Sequence, residues 1–376
     1  MIRATRNAEY TKEYNRKMFL RLLRVEPMFR AEIARRMGLT RAATSLIADE
    51  LLSEGLIRET VSTEKRMGRT PVPLMISAEA GYAVGVYLNR DGCTAGIVNM
   101  CGQLLTKKRI RFDSGMKQDK VTTMLDTIQE LIRECNLPWE KIVGVGVSAP
   151  GPLDGESGRI LNPPRFDRWH GVEISSLLSR ALNMPAYLEH DVCALALHQL
   201  EIGQSRNFML LFVDKGIGAG VVSGGRLLGG SMSFTGELGH TTIRFDGRLC
   251  ECGNRGCLET YAAIPKLLDG TEFSSWKALI DAPEEKSEAR KLLDQEAVYL
   301  SAGIINLLNL IPVDTIYLGG EIRYGYDKLA DRLLREISTK ALHHRSQSIR
   351  ILPADQQPEV SALSAAGVAI SRFLMV

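Results

Sequence analysis

Four residues that bind soft metal ions lie within one short stretch of the sequence and limit how the chain can fold there. His240 is followed after nine residues by Cys250, and Cys252 and Cys257 complete the spacing H-x9-C-x-C-x4-C. Three thiolates and one imidazole are a ligand set typical of a closed tetrahedral zinc site. Because such a site has no open coordination position, the spacing predicts a structural Zn²⁺ held by these four residues. Free buried cysteines or a disulfide are the alternatives.

Composition places the chain among ordinary globular proteins. Its 376 residues are enough for two or three domains, and 45% of them are apolar while 24% are charged. The apolar runs are too short to cross a bilayer, and the first residues resemble no signal peptide. Seven cysteines without a secretion signal are typical of a reducing compartment. We therefore expect a cytoplasmic protein with no membrane partner.

Positive charge is concentrated near the N-terminus. Residues 1–70 hold 15 Lys and Arg against 9 Asp and Glu, a balance of +6, although the whole chain carries only +3. The remaining residues hold 32 and 35, a balance of −3. The excess lies where a polyanion such as DNA could be bound, although a solvated helical surface has the same composition.

The N-terminal segment has the pattern of a helix-turn-helix. Helical spacing of apolar residues predicts helices over Tyr14–Val25, Arg30–Met37 and Arg41–Ser53. Gly38 predicts the tight turn between the second and third helices, and Thr40 is a favourable N-cap for the third.

The third helix is predicted to contact DNA through its first turns. Its apolar side is predicted to face the core through Leu46, Ile47, Leu51 and Leu52. The polar residues predicted to lie in a groove are Thr40, Arg41, Thr44 and Ser45, with Arg41 and Thr44 contacting base edges.

A basic hairpin is predicted after the third helix. Strands are expected over residues 56–60 and 71–77, and the tip between them carries Lys65, Arg66 and Arg69, which are placed to contact phosphates or the minor groove. Three helices and this hairpin predict a winged helix-turn-helix over residues 1–77. A small helical protein-interaction module is the alternative.

Residues 78–376 show the alternation of an α/β domain. The segments predicted as strands are 83–90, 93–100, 103–112 and 142–147, with a tight turn at Asp91-Gly92 in the first pair; the segments predicted as helices are 118–135 and 360–373. The pattern itself predicts only an α/β fold with a mixed sheet.

The stretch Gly236–Glu259 resembles the signature of the ROK family, which includes bacterial sugar kinases and sugar-responsive repressors. It reads G-E-L-G-H followed by C-E-C-G-N-R-G-C-L-E. The resemblance extends over nearly the whole chain and includes a MarR-like N-terminal domain with the sequence G-R-T-P after its wing. It implies that residues 78–376 adopt a two-lobed actin-like ATPase fold, of the hexokinase type, around a cleft.

The same resemblance implies an effector site in that cleft. The family's E-N-D is Glu189-His190-Asp191 in this chain, and Asp191 matches the catalytic base of a kinase. His240 is implied both as a zinc ligand and as a sugar contact. The residues predicted to bind the effector are Arg165, Glu189, His190, Asp191, Glu237, His240 and Glu259.

Two asparagines of the family pattern are replaced in this chain, by Arg165 and His190. Arginine offers only donors, whereas asparagine offers both a donor and an acceptor to sugar hydroxyls. The change favours an effector with a carboxylate or phosphate group. Alternatively, Arg165 pairs with a local acid such as Asp167 and never meets a ligand.

The segment that holds ATP phosphates in ROK kinases, D-x-G-G-T, is altered. The chain has Tyr87, Asn89, Arg90 and Asp91 in place of its acid, its two glycines and its threonine. Glycines let a phosphate approach bare backbone N–H groups, and an aspartate repels it. The sequence therefore predicts no ATP-dependent catalysis. A second glycine-rich stretch, residues 214–220, and the L-G-G of residues 318–320 are retained, for which a tight hairpin and packing are sufficient explanations.

These features together predict a repressor with structural zinc that binds operator DNA and a carbohydrate-like effector, as a homodimer or a dimer of dimers. A sugar kinase with an appended DNA-binding domain is the principal alternative, in which Asp191 would be catalytic. A protein that binds a phosphotransferase-system partner instead of a sugar is a third.

Overall fold

The structure, a computed structural model, describes residues 8–60, 72–112, 119–229, 235–283, 285–342, 349–355, 357 and 359–375. The chain divides into two compact units. The first unit comprises residues 1–148, 175–188 and 361–376, and the second comprises residues 149–174 and 189–360. None of the helices in the described ranges is both long and apolar enough to span a bilayer.

The first unit begins with three helices and a short hairpin. Their bounds are α1 Ala8–Val25, α2 Arg30–Met37, α3 Arg41–Ser53, β1 Ile57–Glu59 and β2 Leu74–Ile76. The predicted bounds of α2 and α3 are confirmed, whereas α1 begins six residues earlier than predicted. Gly38 ends α2 in the left-handed conformation, with φ of +66°, and the Thr40 hydroxyl accepts a hydrogen bond of 3.2 Å from the Ala43 amide. The predicted turn and N-cap are thus confirmed.

Two residues of α3 face the opposite way from the prediction. Thr44 is fully buried, and its hydroxyl donates a hydrogen bond of 3.0 Å to the Thr40 carbonyl oxygen. Leu46 is 68% exposed instead of buried. The hydrogen bond to the preceding turn satisfies the Thr44 hydroxyl, so a small polar residue can occupy the core position. The predicted base contact by Thr44 and the predicted core position of Leu46 are therefore wrong.

A five-stranded sheet forms the centre of the first unit, in the order β5-β4-β3-β6-β9. The strands are β3 Tyr82–Asn89, β4 Gly92–Asn99, β5 Leu104–Arg111, β6 Ile142–Ala149 and β9 Ala186–His190, with helices α4 Lys120–Glu134 and α5 Ile174–Leu182. Strand β3 is antiparallel to β4 and parallel to β6.

The C-terminal helix α12, Val360–Phe373, packs closely on this sheet. A Cβ atom on Gly85 would lie 2.1 Å from the Ala362 carbonyl oxygen, and one on Gly146 would lie 1.9 Å from that of Ala365. Glycine is therefore required at these strand positions by the backbone of the helix. For Gly85, which lies two residues before the altered D-x-G-G-T segment, packing is a sufficient reason for glycine.

The N-terminal helices share one hydrophobic core with the sheet and α12. The buried residues of this core include Phe19, Ile33 and Leu51 from the helices, Leu74 from the hairpin, Val98 and Met100 from the sheet, and Leu363 and Ile370 from α12. The helical module, which consists of α1–α3 and the β1–β2 hairpin, is thus joined to the sheet by packed side chains as well as by the chain itself.

The second unit contains a sheet of the same design, in the order β12-β11-β10-β13-β14. The strands are β10 Phe208–Val213, β11 Ile217–Ser223, β12 Arg226–Leu227, β13 Thr315–Gly320 and β14 Arg350–Pro353; a separate hairpin comprises β7 Leu153–Asp154 and β8 Arg159–Ile160. The helices are α6 Asp191–Ile202, α7 Glu259–Ala262, α8 Ile264–Leu267, α9 Trp276–Ile280, α10 Ser287–Leu310 and α11 Tyr326–Lys340. Like β3, β10 lies between an antiparallel and a parallel neighbour. It is antiparallel to β11, which follows it in the chain, and parallel to β13 on its other side.

The glycine-rich stretch of residues 214–220 is a tight β-hairpin. Val213 pairs with Ile217 across the turn, and the Asp214 amide donates a hydrogen bond of 3.0 Å to the Gly216 carbonyl oxygen. The turn geometry therefore accounts for its composition.

Candidate functional site

The four predicted metal ligands converge in the second unit. One donor atom from each of His240, Cys250, Cys252 and Cys257 lies within 4.8 Å of all the others. The Cys250 Sγ is 3.5 Å from His240 Nδ1, and the Cys252 Sγ is 3.7 Å from the Cys257 Sγ. A tetrahedral zinc ion with its usual bond lengths requires edges of about 3.6 Å between nitrogen and sulfur and about 3.8 Å between sulfurs. The cluster therefore has the donor set and the dimensions of a zinc site.

The loop around these ligands is held by local contacts. The Cys257 Sγ accepts a hydrogen bond of 3.5 Å from Asn254 Nδ2, and the Arg248 guanidinium lies over the Tyr261 ring at 4.8 Å. Burial and the neighbouring thiols raise the pKa of Cys257 to about 12. The three thiols would therefore resist joint ionisation without a cation, and a metal ion supplies the charge that lets them act as thiolates.

Glu237 joins the metal cluster to the residues predicted to bind the effector. Its Oε2 atom lies 3.8 Å from His240 Nε2, while the other ring nitrogen of His240 faces the thiols. A carboxylate on the second nitrogen of a metal-binding histidine fixes the tautomer and orientation of the ring. The other oxygen of Glu237, Oε1, lies 3.3 Å from His190 Nε2.

His190 is buried at the centre of this group. Although burial lowers its pKa, Cys193, Glu237 and Asp191 outweigh that effect, and the pKa of His190 lies well above its ordinary value. Nδ1 is 3.7 Å from the Asp191 Oδ1. Among the described residues, neither His190 Nδ1 nor Glu237 Oε1 has a hydrogen-bond partner. Buried polar atoms in this state need a ligand or water.

Gly151 makes room for the His190 ring. A Cβ atom at this position would lie 2.2 Å from Glu237 Oε1 and 2.5 Å from His190 Nε2. Any side chain there would displace the pair. The sequence pattern S-A-P-G-P marks this loop, but nothing local to it indicates that a histidine 39 residues away would fill the space.

Asp191 and Glu189 flank His190 at the junction of β9 and α6. The Asp191 carboxylate accepts a hydrogen bond of 2.7 Å from the Val192 amide at the start of the helix. Burial raises the pKa of Asp191, and the His190 charge opposes that rise. Glu189 is buried, and its Oε1 accepts a hydrogen bond of 3.1 Å from the His190 amide. The structure thus brings Glu189, His190, Asp191, Glu237 and His240 together.

Glu259 lies at the start of α7 and contacts the glycine-rich hairpin. Its Oε2 accepts a hydrogen bond of 2.9 Å from the Ile217 amide, and a Cβ atom on Gly216 would lie 3.0 Å from the same oxygen. One oxygen of Glu259 is therefore committed to holding the hairpin.

Arg165 pairs with an acid on the metal loop. Its guanidinium forms a two-bond ion pair with Glu251, in which Nε donates a hydrogen bond of 2.8 Å to Oε2 and Nη2 donates to Oε1. This pairing raises the pKa of Arg165, with a smaller contribution from the charge of Glu259. Arg165 has φ of +57°, a conformation that asparagine tolerates better than arginine. The acid that pairs with Arg165 is thus Glu251 and not the predicted Asp167.

The predicted DNA-contacting residues lie on the helical module of the first unit. Arg41 is exposed and takes no part in the ion pairs found among the described residues, while Ser45 is half-buried. Lys65, Arg66 and Arg69 lie outside the described residues.

The protein-family model described as "ROK family" matches residues 83–372. The chain belongs to the ROK family. It is 26% identical over 374 residues to a xylose repressor of Bacillus spizizenii, with 97% of both chains covered. It is 27% identical to the DNA-binding transcriptional dual regulator NagC of Escherichia coli, covering 89% of this chain and 87% of NagC.

Solved structures show the same fold. A ROK family transcriptional regulator, a homolog of the E. coli MLC protein, superposes with a TM-score of 0.81 at 24% identity and 97% coverage of both chains. A ROK hexokinase from Thermus thermophilus gives a TM-score of 0.64 at 26% identity, covering 77% of this chain and 98% of the hexokinase. The α/β architecture of the ROK family, with its kinase-like neighbours, is thereby confirmed.

Proposed function

We propose that this ROK protein is a sequence-specific DNA-binding transcriptional repressor that responds to a carbohydrate-like effector. The observation that carries the proposal is the extent of similarity: relatives named as repressors match 97% of this chain, including the helical module that precedes the family domain. The hexokinase structure covers only 77% of it.

The DNA-binding element is a winged helix-turn-helix formed by α1–α3 and the β1–β2 hairpin. Helix α3 is capped by Thr40 and presents the exposed Arg41 at its first turn, where a recognition helix contacts base edges. Lys65, Arg66 and Arg69 supply backbone or minor-groove contacts from the wing. Two copies of the chain, related by a two-fold axis, would bind the two half-sites of an operator.

The effector is a neutral polyhydroxyl compound bound by residues of the second unit. Asp191 and Glu237 are partly exposed carboxylates that accept hydrogen bonds from hydroxyl groups, and His190 Nδ1 is a buried atom with no hydrogen-bond partner among the described residues. The two basic residues that would favour an acidic ligand already lie against acids, Arg165 against Glu251 and His190 against Glu237 and Asp191.

Zinc in the Cys3His cluster is structural. The four ligands would fill its coordination shell, and its role is to hold the loop that positions Glu237. His240 and the three cysteines would hold the ion, which would supply the positive charge that lets the crowded thiols ionise.

A sugar kinase is the second candidate, favoured by Asp191 at the position of the family's catalytic base. Two features of the chain argue against it. In the β3–β4 turn, Asn89 Oδ1 accepts a hydrogen bond of 3.0 Å from the Asp91 amide, so this turn uses its own backbone donor. In the second unit, burial and the charge of Asp214 raise the pKa of Glu321, so the retained stretches at residues 214–220 and 318–320 bring two carboxyl groups near each other.

The test combines DNA selection with a ligand screen. Purified protein is incubated with a randomised duplex library, and the selected site is used in gel-shift titrations. A thermal-shift panel of neutral sugars, sugar acids and sugar phosphates then identifies ligands that alter DNA affinity. We expect one selected sequence and a neutral sugar that changes its binding. Absence of any selected sequence, or ATP-dependent phosphorylation of a panel sugar that Asp191→Asn abolishes, would overturn the proposal in favour of the kinase.

A further inference from the structure

Helix α3 exposes a leucine that the fold does not use. Leu46 is 68% exposed, and it is the most exposed of the large apolar side chains in the described part of the helical module. Because α3 advances about 100° per residue, Leu46 lies about 200° around the helix from Thr44. Thr44, Ala48 and Leu51 form the buried side, so Leu46 is on the outward face.

The residues that surround Leu46 on this face suit close approach to another molecule. Ala42 is small, and its position four residues before Leu46 places it beside the leucine. Asp49 would repel a phosphate, but its Oδ1 accepts a hydrogen bond of 2.9 Å from the Arg30 guanidinium. Beside Leu46 this face therefore has a small residue and a compensated acid, and the exposed Arg41 lies in the first turn of the same helix, within a segment that carries +6 over residues 1–70.

A single exposed leucine is common on protein surfaces and needs no explanation by itself. The outward position of Leu46 gives it a specific meaning once α3 is a recognition helix. In the major groove, a leucine side chain can neither donate nor accept a hydrogen bond. The one apolar group that a base pair presents there is the thymine 5-methyl group.

We propose that Leu46 contacts a thymine methyl group in each operator half-site and is a specificity-determining residue. This inference rests on the proposed DNA-binding function. Arg41, with its fork of donors, is suited to a guanine in the same half-site. The preferred half-site therefore contains both a guanine read by hydrogen bonds and a thymine read by apolar contact.

Replacing thymine by deoxyuridine tests the contact, because only the methyl group is removed. The probe is the duplex selected from the randomised library, with each thymine replaced singly. For the wild-type protein, one position in each half-site should show roughly fourfold weaker binding, the effect of one apolar carbon removed from the contact. Leu46→Ala should bind the thymine and deoxyuridine duplexes equally.

Two variants separate this contact from a general effect on α3. Leu46→Met keeps an apolar side chain and should keep the deoxyuridine penalty. Arg41→Ala should lose the guanine preference and still keep the penalty. Thermal unfolding of Leu46→Ala should match that of the wild type, since the side chain is exposed.

The outcomes distinguish this inference from the proposed function. If the wild type selects a site but is indifferent to deoxyuridine at every position, or if Leu46→Ala retains the penalty, the thymine contact is wrong and the repressor remains. If the wild type selects no sequence, the DNA-binding function fails and this contact fails with it.

Discussion

The Glu237 Oε2 atom lies 3.8 Å from His240 Nε2, so one carboxylate adjoins both the metal cluster and the predicted effector site. Its other oxygen lies 3.3 Å from Nε2 of the buried His190 ring. A change in the orientation of Glu237 would therefore be felt by a metal ligand and by an effector-binding residue together. Zinc at this position would act on effector binding through the direction in which it holds His240.

Glu237→Gln should weaken zinc binding by about 10- to 100-fold, the usual effect of losing the partner of a metal-binding histidine. The amide keeps the size of the side chain but removes the charge that orients His240. Zinc affinity is measured by competition with a coloured chelator. Glu251→Gln is the matched control, because Glu251 lies between two of the cysteines but pairs with Arg165. Equal zinc affinity for both variants would show that Glu237 does not support the metal.

One zinc ion per chain is expected, and Cys252→Ser should remove most of it, because one of four ligands is lost. Elemental analysis of protein purified under reducing conditions measures the stoichiometry. Cys135→Ser changes a cysteine outside the cluster and should leave the metal content unchanged. Less than half an equivalent of metal in the wild type would count against the site.

Local sequence patterns were sufficient to predict the elements that carry the site. The spacing of His240 and the three cysteines predicted a cluster that the structure forms. Gly38 predicted the end of α2 and Thr40 predicted the start of α3, because both signals act within one helical turn.

Contacts between distant residues could not be predicted in this way. Arg165 and Glu251 are 86 residues apart, and no local signal selects Glu251 over the nearer Asp167. The prediction that Leu46 faces the core was wrong because it was based on hydrophobicity alone. The buried hydroxyl of Thr44, satisfied within its own helix, occupies the core position instead.

Thr44→Val should lower the stability of the helical module by about 1 kcal/mol, the typical value of one buried hydrogen bond, without changing DNA sequence preference. The side chain is buried and its hydroxyl bonds only to Thr40 among the described residues. Chemical denaturation and library selection measure the two effects. Arg41→Ala is the comparison variant. It should change the DNA sequence preference and leave the stability of the helical module unchanged. A changed base preference in Thr44→Val would show that Thr44 reaches the DNA after all.

Glu296→Gln should make the protein more stable, increasingly so as the pH rises. Glu296 is fully buried in α10, neither of its carboxyl oxygens has a hydrogen-bond partner among the described residues, and burial raises its pKa well above the ordinary value. In the unfolded chain the Glu296 carboxyl group ionises near pH 4.3, whereas in the folded chain it stays protonated to a higher pH. The free energy of unfolding of the wild type therefore falls by about 1.4 kcal/mol per pH unit between pH 4.3 and the raised pKa of the folded state. The variant has no such loss.

Urea unfolding from pH 5 to pH 8 measures this difference. The gain from Glu296→Gln should be smallest at pH 5. The exposed Glu140 is the control site, since Glu140→Gln should change stability by less than about 0.5 kcal/mol at every pH. A gain that does not vary with pH would mean that Glu296 is not a buried acid in solution.

Effector and DNA should each alter the affinity of the other by the same factor. If the panel sugar with the largest thermal shift weakens DNA binding tenfold, it must itself bind tenfold more weakly to the DNA complex, about 1.4 kcal/mol. Asp191→Ala should lower the affinity for the sugar, because it removes an acceptor that lies 3.7 Å from His190. Asp167 is exposed, and Asp167→Ala should leave the affinity for the sugar unchanged. Isothermal titration with and without the selected duplex measures both quantities. A sugar that binds Asp191→Ala as tightly as it binds the wild type occupies another site. A sugar whose affinity is the same with and without DNA is not the effector.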